Sequence, residues 1–301
     1  MRLTWMLCLL LLVQQNTIPD TFTVIDNGEP ITVIKRTGMS MALPGLAIID
    51  PEKYSNLLDQ IDHQVKKEPV NAKLDDFGRI VPEEVGYQLN RHSFTEQFFH
   101  FFYESGPSRL EVPKIYIYPK VDSEVLSIIR AKRIGQYVTF YNSNNKARST
   151  NIALAVNAIN NHVVFPGESF SFNKVVGKRT VEKGYKKAPE IVKGEMIEGI
   201  GGGICQVSST LFNAVDSSGV KIVERYSHSK KVPYVPPGRD ATVSWYGPDF
   251  TFLNNYNQPI LIRAKASHGR VMVMLFSSEE INFTPKTVPY AATEKPLLTF
   301  N

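Results

Sequence analysis

Cysteine is scarce in this chain of 301 residues, which contains only Cys8 and Cys205. So few thiols exclude a disulfide-rich scaffold. The histidines and acidic residues are scattered without the spacing of metal ligands, so we expect no metal site and no cofactor. The long apolar run at residues 3–13 is too short for an ordinary membrane-spanning helix, which needs about 20 residues.

The rest of the composition is ordinary for a globular protein. Apolar residues make up 43%, charged residues 21% and aromatic residues 11% of the chain, which argues against wholesale disorder. The 19 glycines and 19 prolines are near their average shares and exclude a collagen-like sequence. The net charge of +5 suits nucleic acid, a membrane surface or an anionic wall polymer and does not choose among them.

The N-terminus has the pattern of an export signal. Arg2 precedes the apolar run, and polar residues follow at 14–16. We therefore interpret residues 1–20 as a signal peptide or short N-terminal anchor, with Cys8 as part of its apolar core. The rest of the chain is then extracytoplasmic, secreted or held at the cell surface, with membrane contact only through this segment. Cys205 is then a lone thiol in an oxidising compartment and a candidate nucleophile.

Hydrophobic periodicity predicts an α+β fold. A small α/β module at 21–132 precedes an α+β domain at 133–281, with a tail at 282–301. In the first module, Asp50 and Ser93 each have the character of a helix N-cap. The strands predicted in the second domain are 136–141, 221–227, 241–246, 250–253, 260–266 and 271–276.

Two segments carry much of the positive charge. Residues 127–150 contain five lysines and arginines and no acid, and we interpret them as a junction with a solvated basic face. Residues 174–193 contain seven against two glutamates and form a predicted basic loop. Either segment can attract an anionic polymer.

The densest chemical signal is a glycine run before a cysteine. Gly201, Gly202 and Gly203 leave the backbone free to take positive φ, so that their N–H groups can approach a ligand oxygen. Cys205 follows at the start of a helix predicted over 205–215. A helix N-terminus carries partial positive charge and free N–H donors, which favour thiolate and can hold an oxyanion.

Helical geometry places Cys205 away from the predicted core face. At 100° per residue, Cys205 lies about 200° from the apolar Val207, on the side of Ser208 and Ser209. We therefore expect Cys205 to face substrate, with Gln206, Ser208 and Ser209 as contact residues. The alternative is a buried cysteine that serves only in packing.

A thiol nucleophile needs a base, and His228 is the candidate. It follows the predicted strand at 221–227, so that a helix beginning with cysteine is followed by a strand ending near histidine. Asp240 can orient its imidazole, or it is simply a turn residue. Arg225 can bind a substrate carboxylate, although on a regular strand it points to the face opposite His228.

Eight ordered segments of the second domain resemble the VanW family of bacterial cell-wall proteins, and the resemblance extends over roughly residues 133–268. These segments are Asn151–Ala155, Pro166–Asn173, Val176–Gly177, Gly184–Tyr185, Gly201–Leu211, Glu224–Arg225, His228–Ser229 and Gly238–Val243. The first module resembles a peptidoglycan-binding-type domain at 69–72, 78–82 and 86–87.

The resemblance implies a cell-wall protein related to vancomycin B-type antibiotic resistance. It implies peptidoglycan L,D-transpeptidation, with Cys205 as nucleophile and His228 as base. Its partners are then peptidoglycan stem peptides and anionic wall polymer, and no nucleic acid. Two alternatives stay open: a non-catalytic peptidoglycan-binding or wall-maintenance factor, and a cysteine peptidase or amidase that uses water as acceptor.

Overall fold

The structure is a computed structural model that describes residues 20–42, 46–104, 106–192 and 195–291. The expected export segment lies outside these residues except for Asp20, and so do residues 292–301 of the predicted tail. Helices alternate with sheets that are antiparallel except for the parallel pair β1–β6, which confirms the α+β prediction. The two compact units of the chain are Met1–Val70 with Glu84–Lys120, and Asn71–Glu83 with Val121–Asn301.

The helices and strands have the following bounds. In chain order they are β1 (Thr21–Asp26), β2 (Glu29–Lys35), α1 (Arg36–Met39), α2 (Pro51–Val65), β3 (Lys73–Leu74), β4 (Ile80–Val81), β5 (Gly86–Leu89), α3 (Arg91–Tyr103), β6 (Arg109–Glu111), β7 (Lys114–Ile117), α4 (Ser123–Ile129), β8 (Lys132–Phe140), α5 (Lys146–Ile159), β9 (Val163–Val164), β10 (Ser169–Ser171), α6 (Phe172–Val176), β11 (Lys187–Val192), β12 (Glu195–Ile200), α7 (Ile204–Ser217), β13 (Lys221–Glu224), β14 (Thr251–Leu253), β15 (Ile260–Ser267) and β16 (Arg270–Ser277).

The first unit is built around aromatic packing between α3 and the β1–β2 hairpin. Its fully buried aromatic side chains are Phe22, Phe94, Phe98, Phe101 and Phe102. Asp50 caps α2 as predicted, accepting the N–H groups of Glu52 and Lys53. Helix α3 is capped by Asn90, and the N–H of Ser93, the predicted cap, donates to the Asn90 side chain.

The core of the second unit lies between one sheet and two helices. The sheet has the order β8-β16-β15-β9, with every neighbouring pair antiparallel. Helices α5 and α7 pack on this sheet and on each other. The buried side chains include Ile152 and Val156 of α5, Val207 and Leu211 of α7, and Val273 of β16. This packing fixes the start of α7, where Cys205 lies.

Residues 71–83 and 121–132, which the sequence analysis places in the first module, belong to the second unit. Leu126 and Ile129 of α4 are buried together with Leu74 and Leu261. Apolar burial of α4 against β4 and β16 therefore determines its place, since covering those side chains removes apolar surface from water.

Three elements near the site differ from the sequence prediction. Helix α5 begins at Lys146, behind an Asn145 cap, so that part of the predicted basic junction is helical. Strand β13 ends at Glu224, and His228 therefore lies in the following loop. The predicted strand at 241–246 forms only a bridge between Thr242 and Tyr226, because the neighbouring backbone at Ala241 bonds to side chains of α7.

Candidate active site

Cys205 is the second residue of α7, as the sequence predicts. Its N-cap, Gly203, has the left-handed φ of 108°, which turns the chain from β12 into the helix. The thiol is half-buried, with Sγ 3.5 Å from the carbonyl oxygen of Val243 and 3.8 Å from Oγ1 of Thr242. It is thus held at the edge of the core with one side open to a cavity.

His228 connects Cys205 to Asp240. The imidazole lies close enough to the Cys205 thiol to lower its pKa, and its Nδ1 lies 2.7 Å from Oδ2 of Asp240. A carboxylate only accepts hydrogen bonds, so Nδ1 carries the proton toward Asp240 and Nε2 is left for the sulfur. The side chains of His228 and Asp240 are only 4% and 9% exposed, which shields the pair from solvent screening.

The three groups shift one another's pKa values. Burial opposes a charge on Cys205, but the hydrogen bond and positive charge of His228 outweigh it and lower the pKa of the thiol. Burial likewise opposes protonation of His228, yet the interactions with Cys205 and Asp240 raise its pKa. Despite burial, the N–H groups of His228 lower the pKa of Asp240. These directions all favour a thiolate beside an imidazolium.

A cavity of about 440 Å³ opens onto this arrangement. It is large enough for a short peptide segment. Its aromatic lining includes the exposed Trp245 and Tyr246 and the buried Tyr234. Further lining residues are Phe140, Tyr141, Asn142, Asn145, Arg148, Lys178, Arg179, Pro189, Ile200, Gly201, Gly203, Ile204, Gln206, Val232, Pro233, Val243 and Ser244.

The glycine run supplies fewer free N–H groups than the sequence suggests. The N–H of Gly201 donates to the carbonyl of Lys186, and that of Gly202 donates to Gly199. Within the described ranges, the N–H groups of Gly203 and Cys205 donate to no backbone carbonyl. These two donors, rather than those of Gly201 and Gly202, are available to an oxyanion.

Each glycine of the run is also required by a close neighbour. A Cβ on Gly201 would lie 3.3 Å from Cβ of Arg179, and one on Gly203 would lie 2.9 Å from Cγ of Arg148. At Gly202 a Cβ would come within 2.2 Å of the carbonyl oxygen of Ala188. The absence of side chains therefore allows two arginines and β11 to lie directly against the turn before Cys205.

Arg148 and Arg179 are site residues that the sequence analysis did not identify. Nη2 of Arg148 donates to Oε1 of Gln206 at 2.9 Å. The amide nitrogen of Gln206 in turn donates to Thr139 and to the carbonyl of Phe140, so that the buried Gln206 fixes this arginine. Arg148 lies in the basic segment interpreted as a solvated face and Arg179 in the predicted basic loop, and nothing in their spacing indicates burial.

Ser208 and Ser209 lie behind the cavity wall rather than in it. Both are fully buried. The Ser208 hydroxyl donates to the carbonyl of Ala241 at 2.6 Å, and the Ser209 hydroxyl accepts the N–H of Ala241 at 2.9 Å. The two serines therefore hold the residue after Asp240 against α7.

Arg225 also supports the loop and lies outside the cavity lining. Its Nη1 donates to the carbonyl of Asp240 at 2.7 Å and to that of Gly238 at 3.1 Å. Its guanidinium lies 5.0 Å from the ring centre of Phe212 on α7. Arg225 thus connects the helix that carries Cys205 to the backbone that carries Asp240.

The described residues hold no group of three or more histidine, cysteine and acidic side chains arranged to bind a metal ion. Over the same residues, no helix combines the length and the apolar character needed to cross a membrane.

Comparison with known proteins identifies the family. The family described as VanW like protein matches residues 147–276. The chain is 57% identical over 288 residues to the Bacillus subtilis (strain 168) protein named Uncharacterized protein YoaR, covering 96% of this chain and 95% of that protein. It is 32% identical over 99 residues to the Vancomycin B-type resistance protein VanW of Enterococcus faecalis (strain ATCC 700802 / V583), covering 31% of this chain and 36% of that protein. No solved structure matches. With its glycine run, Cys205 and His228 all inside the matched region, the chain belongs to the VanW family.

Proposed function

We propose that this protein is an extracytoplasmic, cysteine-dependent acyltransferase of the bacterial cell wall, a peptidoglycan L,D-transpeptidase. Membership of the VanW family suggests a cell-wall-associated protein. The observation that carries the finer proposal is the chain of contacts from Cys205 through His228 to Asp240 beside an open cavity. A nucleophile, a base and a group that orients the base are the parts that acyl transfer requires.

In the acylation step, the Cys205 thiolate attacks the carbonyl carbon between the third and fourth residues of a donor stem peptide. A C–S bond forms, and the carbonyl oxygen becomes an oxyanion that the N–H groups of Gly203 and Cys205 are placed to hold. The C–N bond then breaks. His228 gives its Nε2 proton to the leaving amine of the terminal D-alanine, and the acyl group remains as a thioester.

In the transfer step, the side-chain amine of a second stem peptide attacks the thioester. The neutral His228 accepts a proton from this amine, a new C–N bond forms, and the C–S bond breaks to regenerate the thiolate. The product is a 3–3 cross-link. Asp240 stabilises the imidazolium in both steps and prevents the ring from turning.

The positive charge of the chain supports a wall polymer as the partner. The exposed lysines of the 174–193 segment include Lys178, Lys183 and Lys187, and Lys178 also lines the cavity. A basic surface raises the local concentration of an anionic polymer through long-range attraction.

The direct test is incubation of the full-length protein with a disaccharide-tetrapeptide, followed by mass spectrometry of the intact protein and its products. We expect an acyl-enzyme that has lost D-alanine, together with a cross-linked dimer. Cys205→Ala and Cys205→Ser serve as matched controls and form neither product.

Each other outcome contradicts the proposal in a specific way. Release of tripeptide without dimer identifies water as the acceptor and supports the peptidase or amidase. A third outcome is that no acyl-enzyme forms and that wild type and Cys205→Ala bind peptidoglycan equally well. That outcome supports a non-catalytic wall-binding factor.

A further inference from the structure

Among the residues that the structure describes, Arg179 stands out because the terminal nitrogens of its guanidinium are buried without a hydrogen-bond partner. Its two terminal nitrogens, Nη1 and Nη2, are both inaccessible to solvent, and neither has a hydrogen-bond partner in the described ranges. Buried polar groups in proteins are nearly always paired, and an unpaired buried charge is costly to keep. An uncompensated guanidinium beside a reactive thiol therefore calls for a functional explanation.

The nearby acidic residue does not supply that partner. Asp249 lies within electrostatic range of Arg179, but its carboxylate already accepts the hydroxyl of Ser171 and the N–H groups of Asn173 and Phe250. The Phe172 ring offers a face at 5.9 Å, which is a weak partner for a guanidinium. Within the described residues, the two terminal nitrogens of Arg179 therefore have no hydrogen-bond partner.

Arg148 adds a second cation on the same cavity. Both arginines line it, and they pack against the turn before Cys205 at Gly203 and Gly201. Burial lowers the pKa of each arginine, whereas the negative charge of Cys205 acts in the opposite direction on both. One nitrogen of Arg148, Nη2, donates a hydrogen bond to Gln206.

We propose that Arg179, assisted by Arg148, binds a carboxylate of the substrate close to the bond that Cys205 attacks. The ligand is a peptide with a free α-carboxylate one residue beyond the scissile carbonyl. That spacing separates the two carbonyl carbons by about 3.5 Å, the length of one residue. A guanidinium presents its donors in a planar fork that matches a carboxylate, so the subsite selects a C-terminal residue and excludes internal peptide bonds. The identity of the peptide in this inference rests on the proposed acyl-transfer function.

A pair of alkylating reagents tests the subsite without requiring turnover. Iodoacetate and iodoacetamide react with the Cys205 thiolate in the same way: a C–S bond forms, the C–I bond breaks and iodide leaves. They differ only in that iodoacetate carries a carboxylate. The ratio of their rates at Cys205, measured by peptide mapping of the full-length protein, therefore reports carboxylate binding and cancels changes in thiolate content.

We expect Arg179→Gln to lower the iodoacetate-to-iodoacetamide rate ratio by about tenfold, because the variant loses a charge-assisted hydrogen-bond pair with the carboxylate. Arg148→Gln should lower the same ratio less. Arg179→Lys keeps the charge but loses the fork, so it gives an intermediate ratio. Lys178→Gln is the matched control, since it removes an exposed charge from the same cavity. An unchanged ratio in Arg179→Gln, or an equal fall in Lys178→Gln, overturns the subsite.

A substrate comparison with the unmodified protein covers the case in which the arginine variants do not fold. A tetrapeptide ending in a D-alanine carboxylate should protect Cys205 from iodoacetamide about tenfold better than the same peptide ending in a carboxamide. Equal protection by both peptides overturns the subsite while leaving acyl transfer intact. Selective protection without any acyl-enzyme supports the subsite and contradicts the proposed function, so the two failures are distinguishable.

Discussion

One oxygen of Asp240, Oδ2, accepts both the ring Nδ1–H and the main-chain N–H of His228, at 2.7 and 2.6 Å. The double contact fixes the imidazole in position and in tautomer, so Nε2 is directed to Cys205. A loop residue 12 positions away thereby acquires the rigidity that a strand would otherwise provide.

Replacing His228 should make the thiol less acidic. In His228→Gln the imidazolium that lowers the pKa of Cys205 is gone, and burial, which raises that pKa, is opposed only by the contacts of the thiol with Val243 and Thr242. The pH midpoint for alkylation of Cys205 by iodoacetamide should then rise. His162→Gln is the matched control, because this half-buried histidine lies against Phe170 and outside the cavity lining. An identical midpoint in wild type and His228→Gln would contradict the ion pair.

Asp240→Asn should lower the upper pH limit of acylation. Acylation should increase as Cys205 ionises at low pH and decline as His228 loses its proton at high pH. Removing the Asp240 charge takes away one of the interactions that raise the pKa of His228, so the alkaline limb moves to lower pH. The maximal rate should also fall by about 10²–10⁴-fold, as for loss of an orienting carboxylate. A pH–rate profile of acyl-enzyme formation measures both effects, and an unmoved alkaline limb contradicts the assignment.

Arg225 and Arg239 form a matched pair around Phe212. Their guanidinium carbons lie 5.0 and 4.8 Å from its ring centre, but only the side chain of Arg225 donates to the carbonyl of Asp240. Both Arg225→Met and Arg239→Met should lower the stability, by about 1–3 kcal/mol each. Only Arg225→Met should in addition slow acylation without changing peptide binding. Equal effects of the two variants on the acylation rate would reduce Arg225 to a purely structural role.

Gly203→Ala should destabilise the protein more than Gly167→Ala. Both glycines have positive φ, 108° and 79°, so each variant incurs backbone strain of about 1–2 kcal/mol. A Cβ at Gly167 meets no atom within 4 Å, whereas one at Gly203 lies 2.9 Å from Cγ of Arg148. The additional overpacking should cost a further 1–3 kcal/mol, on the order seen for crowded cores. Urea unfolding of the two variants gives the comparison.

The sequence was sufficient to identify the parts of the site whose position follows from local order. The glycine run and the cysteine are contiguous, and the structure places Cys205 at the start of α7 as expected. Chain order also predicts His228 and Asp240, and the structure pairs these two with each other and places His228 beside the cysteine.

The remaining features depend on tertiary packing that periodicity does not encode. Arg148 lies in the first turn of α5 and Arg179 in a loop, and their burial arises only when Gly203 and Gly201 meet them. The predicted strand at 241–246 fails for a related reason. Its first residue, Ala241, exchanges hydrogen bonds with Ser208 and Ser209 instead of a neighbouring strand.

The turn Gly201–Gly203 also has a mechanical consequence. Consecutive glycines ordinarily provide a hinge, since they add conformational freedom to a chain. Here each position is confined by a different neighbour, and Gly202 lies against the backbone of β11. The turn therefore holds the backbone before Cys205 in one conformation. The turn loses its conformational entropy when the protein folds. Binding of a peptide therefore need not immobilise the sulfur.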